Sequence, residues 1–423
     1  MRLKPLLWLT SLALLPVIAA PVLGQPRPVG SEFRVNGNTE SKQRNPVAAF
    51  NAAGSALVVW ENDKNGLRGR FYGRDGTPLT DELGLVANQK LTTLPAQGNE
   101  VIRKDPAVAF LPSGEFLLAW TEETDYVEVS LFIENRQLLD RDVYLQKFSA
   151  AGAPEGTPVR LNATTTGFQS LPKILVRNGA DTVVAWQSTA SGSAAGNGIF
   201  GRLVGSTVVP SSGETKLSSV SSPASNVSLA GDASGNFIAA WEAADGSSQG
   251  VYARLFTKSA SPRGTEFRVN TTVAGLQRRA AVSADTNTGG WLMVWQGQAG
   301  GIKDSHIYGQ FLSSAGGLVG PQVRISQGVA QGQVAPSVAA IAGGKFLVTW
   351  LDYQDIFPVG LFGVEVDKLG SEIGAEVAIN SQAINAQTRT SIAVSPLGGV
   401  LVPWEGFTSS PNAPVISARR VQF

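Results

Sequence analysis

Seven short apolar runs along the chain each end in tryptophan: ALVVW at Trp60, FLLAW at Trp120, TVVAW at Trp186, FIAAW at Trp241, LMVW at Trp295, FLVTW at Trp350 and VLVPW at Trp404. The last four intervals between these tryptophans are 55, 54, 55 and 54 residues, and the first two are 60 and 66. Around each Trp the same segments recur in order. A PAVAF-type run precedes it, then a short Gly-containing turn such as LPSGE or DASGN. After a variable loop comes an aromatic-rich alternating run (VYLQKF, VYARLF, IYGQFL), then a Gly/Pro/Ser turn and an EFRVN-like segment. Each segment is short, rich in Val, Phe, Tyr and Leu, and bounded by turn formers, so each predicts a strand. Phe116, Leu118 and Trp120 share one side of their strand and Leu117 and Ala119 the other. Apolar residues on both sides predict a strand packed between two neighbours. No sustained 3.6-residue period predicts a helix.

Four antiparallel strands repeated seven times predict an all-β, seven-bladed β-propeller. EFRVN occurs at 32–36 and again at 266–270, where it closes a unit. The first copy has no unit before it. The final unit supplies three strands, near 391–395, 399–404 and 415–422, and lacks the fourth. Strand 32–36 is therefore expected to complete the last blade and close the ring, which removes two exposed sheet edges. An open superhelical array would call for atypical polar capping units, and neither end of the pattern has one.

Trp60, Trp120, Trp186, Trp241, Trp295, Trp350 and Trp404 are expected in the core between blades rather than at a sugar-stacking surface. The residue after each Trp is Glu61, Thr121, Gln187, Glu242, Gln296, Leu351 or Glu405. A fixed place on the next strand holds Arg70, Gln146, Arg202, Arg254, Gln310, Val364 or Arg419, with polarity matched inside each unit. Asn65-Gly66 reads as a two-residue hairpin turn, which sets Glu61 opposite Arg70 and Trp60 opposite Phe71. Glu61–Arg70, Glu242–Arg254 and Glu405–Arg419 are thus expected as structural cross-strand pairs.

The unit resembles a repeat of bacterial secreted and surface proteins, with an EFxVN-like strand, a Gln, then Pro-x-Val-Ala and Gly-x-Phe-x-x-x-Trp. Asn36, Gln43 and Pro46 carry it, as do Asn162, Gln169 and Pro172; unit four lacks the Gln. The resemblance covers nearly all of the chain after the leader. It implies a β-propeller and leaves function open. The tryptophan–aspartate pattern lacks its terminal pair, since the residues after these Trp are mostly Glu or Gln, and the kelch and sialidase patterns also fit poorly.

Residues 1–24, two cations followed by a long apolar run, read as a signal peptide, leaving 25–423 as one domain that is secreted or periplasmic. Removing Arg2 and Lys4 takes the formal charge from +1 to 1 − 2 = −1, so no net field favours nucleic acid. A chain without Cys relies on its core. With one His, His306, and no Cys, zinc sites and His-based triads are not expected, nor is any cofactor, metal or catalytic set. Length variation falls on the post-Trp and inter-blade loops. There Glu122, Asp125, Tyr126, Asp352, Tyr353, Asp355, Phe357 and Phe407 combine acids with aromatics, the composition of a partner-binding face. The expected function is a secreted, monomeric, non-catalytic binding or adhesion module for a glycan or protein. The alternatives are a carbohydrate-active enzyme using loop carboxylates and a structural envelope component.

Overall fold

The computed structural model describes residues 26–90, 96–129, 134–177, 180–189, 196–219, 223–285, 289–298, 304–327, 332–354, 357–381, 390–407 and 414–423. Among them are 28 β-strands and no α-helix. The strands fall into antiparallel meanders in chain order. Unit one is Gln43–Phe50, Ala56–Asn62, Gly66–Tyr72 and Leu83–Val86. Units two with three, and four with five, form two eight-stranded sheets; each joins through a single parallel bridge, Phe168 to Arg141 and Gln249 to Leu276. Unit six is Gln333–Ile341, Lys345–Gln354, Phe357–Val366 and Val377–Ala378.

The last sheet draws on both ends of the pattern. Ala393–Val394, Val400–Phe407 and Pro414–Gln422 are joined by the early strand Arg27–Arg34, antiparallel to Pro414–Gln422. That strand starts before the expected Glu32. A bulge between Val29 and Phe33, with Gly30 at φ +71°, lets the extra residues keep pairing. Val35 N–H then donates to the Ile416 carbonyl at 2.7 Å, and Asn36 Oδ1 accepts the Ile416 N–H at 2.8 Å.

All seven repeat tryptophans are buried, each packed against the preceding unit. Trp120 lies with Leu57, Val59 and Phe71 of unit one, and Trp404 with Leu347 and Leu351 of unit six. Trp60 lies with Leu401, Ile416 and Ala418 of unit seven. The motif Gln has a clear task in two units: Gln43 accepts the Trp60 indole N–H at 2.8 Å, and Gln277 that of Trp295 at 2.9 Å. Burying an indole donor without such an acceptor costs free energy.

The expected Glu–Arg pairs do not form. Trp60 faces Arg68, Glu61 faces Leu67 and Val58 faces Arg70, three positions from the expected register. The turn is Asp63-Lys64-Asn65, held by Asn62 Oδ1 accepting the N–H groups of Lys64 (3.0 Å) and Asn65 (2.9 Å). Gly66 follows at φ +85°, where a Cβ would meet the Val86 carbonyl oxygen at 2.2 Å. An Asx turn therefore replaced the assumed two-residue turn.

Glu and Arg instead grip neighbouring units separately. The first strands of units one to six carry a bulge residue at left-handed φ: Asn45 (50°), Asp105 (51°), Leu171 (57°), Asn226 (55°), Arg279 (56°) and Ala335 (52°). In units one to five its N–H donates to the post-Trp residue of the unit before. Asp105 donates to Glu61 at 2.6 Å, Leu171 to Thr121 at 3.1 Å, Asn226 to Gln187 at 3.3 Å, and Arg279 to Glu242. Asn45 donates in the same way to Glu405, at 3.3 Å. The arginines reach backward: Arg70 to the Val35 carbonyl (3.3 Å), Arg202 to Leu161 (2.7 Å) and Arg419 to Ile379 (2.9 Å). Arg254 donates within its own unit, to the Gly264 carbonyl at 3.0 Å.

The letters of EFRVN also acquire roles. The first residue accepts an N–H from the preceding unit: Glu32 from Ser381 (3.0 Å), Glu82 from Gly37 (3.0 Å), Glu214 from Ala163 (2.6 Å), Glu266 from Ser219 (2.7 Å), Gln322 from Thr271 (2.9 Å) and Glu376 from Gln327 (2.6 Å). The last residue caps its own third strand, as Asn162 does for Val143, Asn270 for Val251 (both 2.8 Å) and Asn380 for Leu361 (2.7 Å).

Candidate functional site

The expected partner-face residues separate into two groups with opposite electrostatics. The first belongs to unit two, whose strands Ala96–Phe110, Phe116–Val129 and Glu134–Phe148 have 15, 14 and 15 residues. The middle strand runs nine residues past Trp120, while the others stop two to four past theirs. At about 3.3 Å per residue the excess makes an arm about 20 Å long. Glu122, Asp125 and Tyr126 therefore stand in a strand rather than the expected loop. Strand alternation sets Glu122 and Tyr126 on one face and Asp125 on the other.

The arm's acids are met by cations. Glu122 pairs with Arg103 at 3.1 Å, and Glu123 with Arg141 at 2.6 Å and with Lys104. Arg136 bridges Glu100 at 2.8 Å and Asp125 at 3.3 Å. Tyr126 is hydrogen-bonded to Gln97. Burial pushes the Glu123 carboxyl up, but Lys104 and Arg141 together outweigh it and hold it below the usual range. Asp140 moves the other way, raised by burial and by Asp142.

The second group is in unit six. Asp352 stands on the strand after Trp350, opposite Gln333 and Gly360. It is buried, and its Oδ1 has no hydrogen-bond partner among the described residues. Burial, then repulsion from Glu376, raises its pKa to about 6. Gln333 Oε1 meets His306 Nδ1 at 2.7 Å and the Ser326 hydroxyl at 3.1 Å, so the chain's one His borders this group. Tyr353 leans on the core beside Val334, Leu351 and Leu361. Phe357 and Phe407 are strand residues opposite Gln354 and Pro414, and Asp355 lies outside the described residues, as does the expected leader 1–24. The two groups stand in different sheets. Among the described residues no three His, Asp or Glu side chains gather as a metal site requires, and no helix is long and apolar enough to cross a membrane.

Sequence reasoning missed a third place, at the opposite ends of the strands. A cavity of about 660 Å³ opens among the short hairpins of units six, seven and one, lined by Phe50, Arg74, Ile341, Leu397, Arg420 and Phe423 among others. One signal pointed there. The hairpin tip of unit seven carries Leu397, where units one, two and four carry Ala53, Ser113 and Ser234.

No protein-family model and no curated protein matches the chain. Solved structures match it along almost its whole length. A protein of unknown function from Dyadobacter fermentans DSM 18053 is 11% identical with a TM-score of 0.53, covering 94% of this chain and 99% of its own. An ulvan lyase of polysaccharide lyase family PL25 is 11% identical at 0.53, covering 92% and 95%. The same kind of lyase bound to -[GlcA(1-4)Rha3S]- matches at 11% and 0.51, with 92% and 95% covered. The likeness is one of fold: this chain is all-β and β-propeller-like.

Proposed function

We propose that the chain is a secreted, non-catalytic binding module, a seven-bladed β-propeller that docks a glycan or protein on the face bearing the unit-two arm. Ring closure is supported by Trp60 packed on unit seven, by the Asn45 to Glu405 hydrogen bond, and by strand Arg27–Arg34 in the last sheet. Cleavage after residue 24, export, a monomeric state and membership of the bacterial surface-repeat proteins belong to the same proposal.

The observation that carries the binding reading is the charge pairing of the arm. The carboxylates of Glu122, Glu123 and Asp125 are each engaged by Arg103, Arg136, Arg141 or Lys104, and Glu123, held below the usual carboxylate range by Lys104 and Arg141, is unsuited to donate a proton at neutral pH. They do make a stiff, pre-ordered surface with alternating charge, suited to docking. A screen of glycans and surface proteins tests it, with the wild type beside a variant whose residues 126–137 are replaced by a two-residue Asn-Gly turn. Partner binding is expected to fall at least tenfold in the variant with its melting temperature little changed. Equal binding by both proteins refutes the assignment of the face.

One observation favours an enzyme instead. Asp352, with a pKa raised to about 6, is poised as a general acid. That reading requires a product from polysaccharide and its loss in Asp352→Asn. The fold neighbours include lyases that act on ulvan, which makes acidic polysaccharide the first substrate to offer.

A further inference from the structure

We propose that the cavity among units six, seven and one is a binding site for an anionic sugar, one bearing a carboxylate or sulfate. The site is independent of the arm and lies at the other end of the strands. Its volume of about 660 Å³ falls within the usual span of small-ligand sites, about 300–1,000 Å³.

One wall of the cavity comes from unit seven, whose first strand Ala393–Val394 ends with Val394 opposite Val400. The hairpin after it, Ser395 to Gly399, turns through Gly398 (φ +86°) and Gly399 (φ +87°). A Cβ on either glycine would meet nothing within 4 Å, so the wall there is open. On the unit-one side the fit is close: a Cβ on Gly54 would meet Leu397 at 3.1 Å and Arg74 at 3.2 Å.

The lining is of two kinds. Phe50, Ile341, Leu397 and Phe423 are apolar, and Leu397 and Phe423 stay 50% and 45% exposed, so an apolar surface is open to a ligand there. Arg74 and Arg420 are cationic. Many of the described arginines are engaged: Arg68, Arg103, Arg136, Arg141 and Arg160 pair with carboxylates, and Arg70, Arg177, Arg202 and Arg419 donate to carbonyls, while Arg44 and Arg263, which do neither, do not line the cavity. Arg74 and Arg420 have no such hydrogen bond or ion pair among the described residues. The charge that acts on Arg420 is Asp75, an exposed carboxylate already taken up by the Thr77 N–H and hydroxyl. Two uncommitted guanidiniums on a partly apolar wall ask for an anion. The exposed Phe423 ring and Phe50 suit the C–H face of a sugar, and Ser395 and Gln422 offer partners for its hydroxyls.

The experiment is a calorimetric and NMR titration of the protein with the disaccharide GlcA(1-4)Rha3S. Its desulfated form, its carboxyl-reduced form and the form lacking both charges are titrated in parallel. Saturable binding of the doubly charged sugar is expected, at least tenfold tighter than the neutral one and weakened by salt. The singly charged form that keeps the affinity identifies the anion read. Arg74→Ala with Arg420→Ala should weaken binding at least tenfold at an unchanged melting temperature, while the arm replacement at 126–137 leaves it intact. No saturable binding by the charged sugar, equal affinity for the neutral one, or wild-type affinity in the double arginine variant each overturns the proposal. Because the arm variant is titrated alongside, a failure here is distinct from a failure of the arm as a partner face.

Discussion

The arm of unit two and the post-Trp strand of unit six have the same composition, acids beside aromatics, yet opposite electrostatics. Glu122, Glu123 and Asp125 face Arg103, Lys104, Arg141 and Arg136 across a wide sheet. Asp352 faces Gln333 and Gly360 and keeps an oxygen without a hydrogen-bond partner. Burial alone does not decide a carboxylate's protonation; the residue placed opposite it by register does.

The largest effect tests whether the two regions share one frame. Trp120→Ala and Trp350→Ala should each destabilise by about 3–5 kcal/mol in urea unfolding, because each indole fills an equivalent space between units. A loss in only one of them shows that the regions differ in packing as well as in charge. Next, Glu123→Gln should cost about 1–2 kcal/mol at pH 7, since it strips the partner from two cations that water still reaches. Asp352→Asn should not destabilise at that pH.

The pH dependence carries the comparison in its sign. The Glu123 carboxyl is held down in the fold, so its stabilisation is complete above the ordinary carboxylate range and is lost as pH falls through its lowered pKa. The Asp352 carboxyl is raised to about 6, so the fold is unpenalised below about pH 4 and loses stability as pH rises through 6. Melting curves between about pH 2 and 8 should thus show Asp352→Asn gaining on the wild type as pH rises from about 4 to 6, and Glu123→Gln gaining as it falls below about 4.5. Parallel curves refute the contrast. The smallest effect is at Arg254, which donates within its own unit: Arg254→Ala should cost about 0.5–1 kcal/mol and add to Glu242→Ala within about 0.5 kcal/mol, because the two grip different backbones. A coupling well above that restores a direct pair.

The frame was legible because it rests on period and alternation. The tryptophan spacing marked the meanders, and the displaced EFRVN pointed to the pairing of Arg27–Arg34 with Pro414–Gln422. What failed was fine register. Asn65-Gly66 suggested one turn, and the Asn62 side chain built another, which moved Glu61 from Arg70 to Leu67. The polarity match between Glu and Arg was real but indirect, since the Glu positions and Arg70, Arg202 and Arg419 serve the joints. At the candidate sites, residue types were visible and their neighbours were not. Nothing local announced that Arg103, Lys104, Arg136 and Arg141 would pair with the acids of the arm. The cavity depends on how hairpins from distant parts of the chain come together, a property that no single motif encodes.

The joints described above hold main-chain atoms rather than particular side chains: Glu32 takes the N–H of Ser381, and Arg419 the carbonyl of Ile379. Every residue type except proline carries that N–H, and all carry the carbonyl. A unit therefore needs no bespoke counterpart next door. Copies can be duplicated, deleted or exchanged along such a gene without matched changes in the flanking copy, and the exposed hairpins are free to diversify while the coupling surface stays the same.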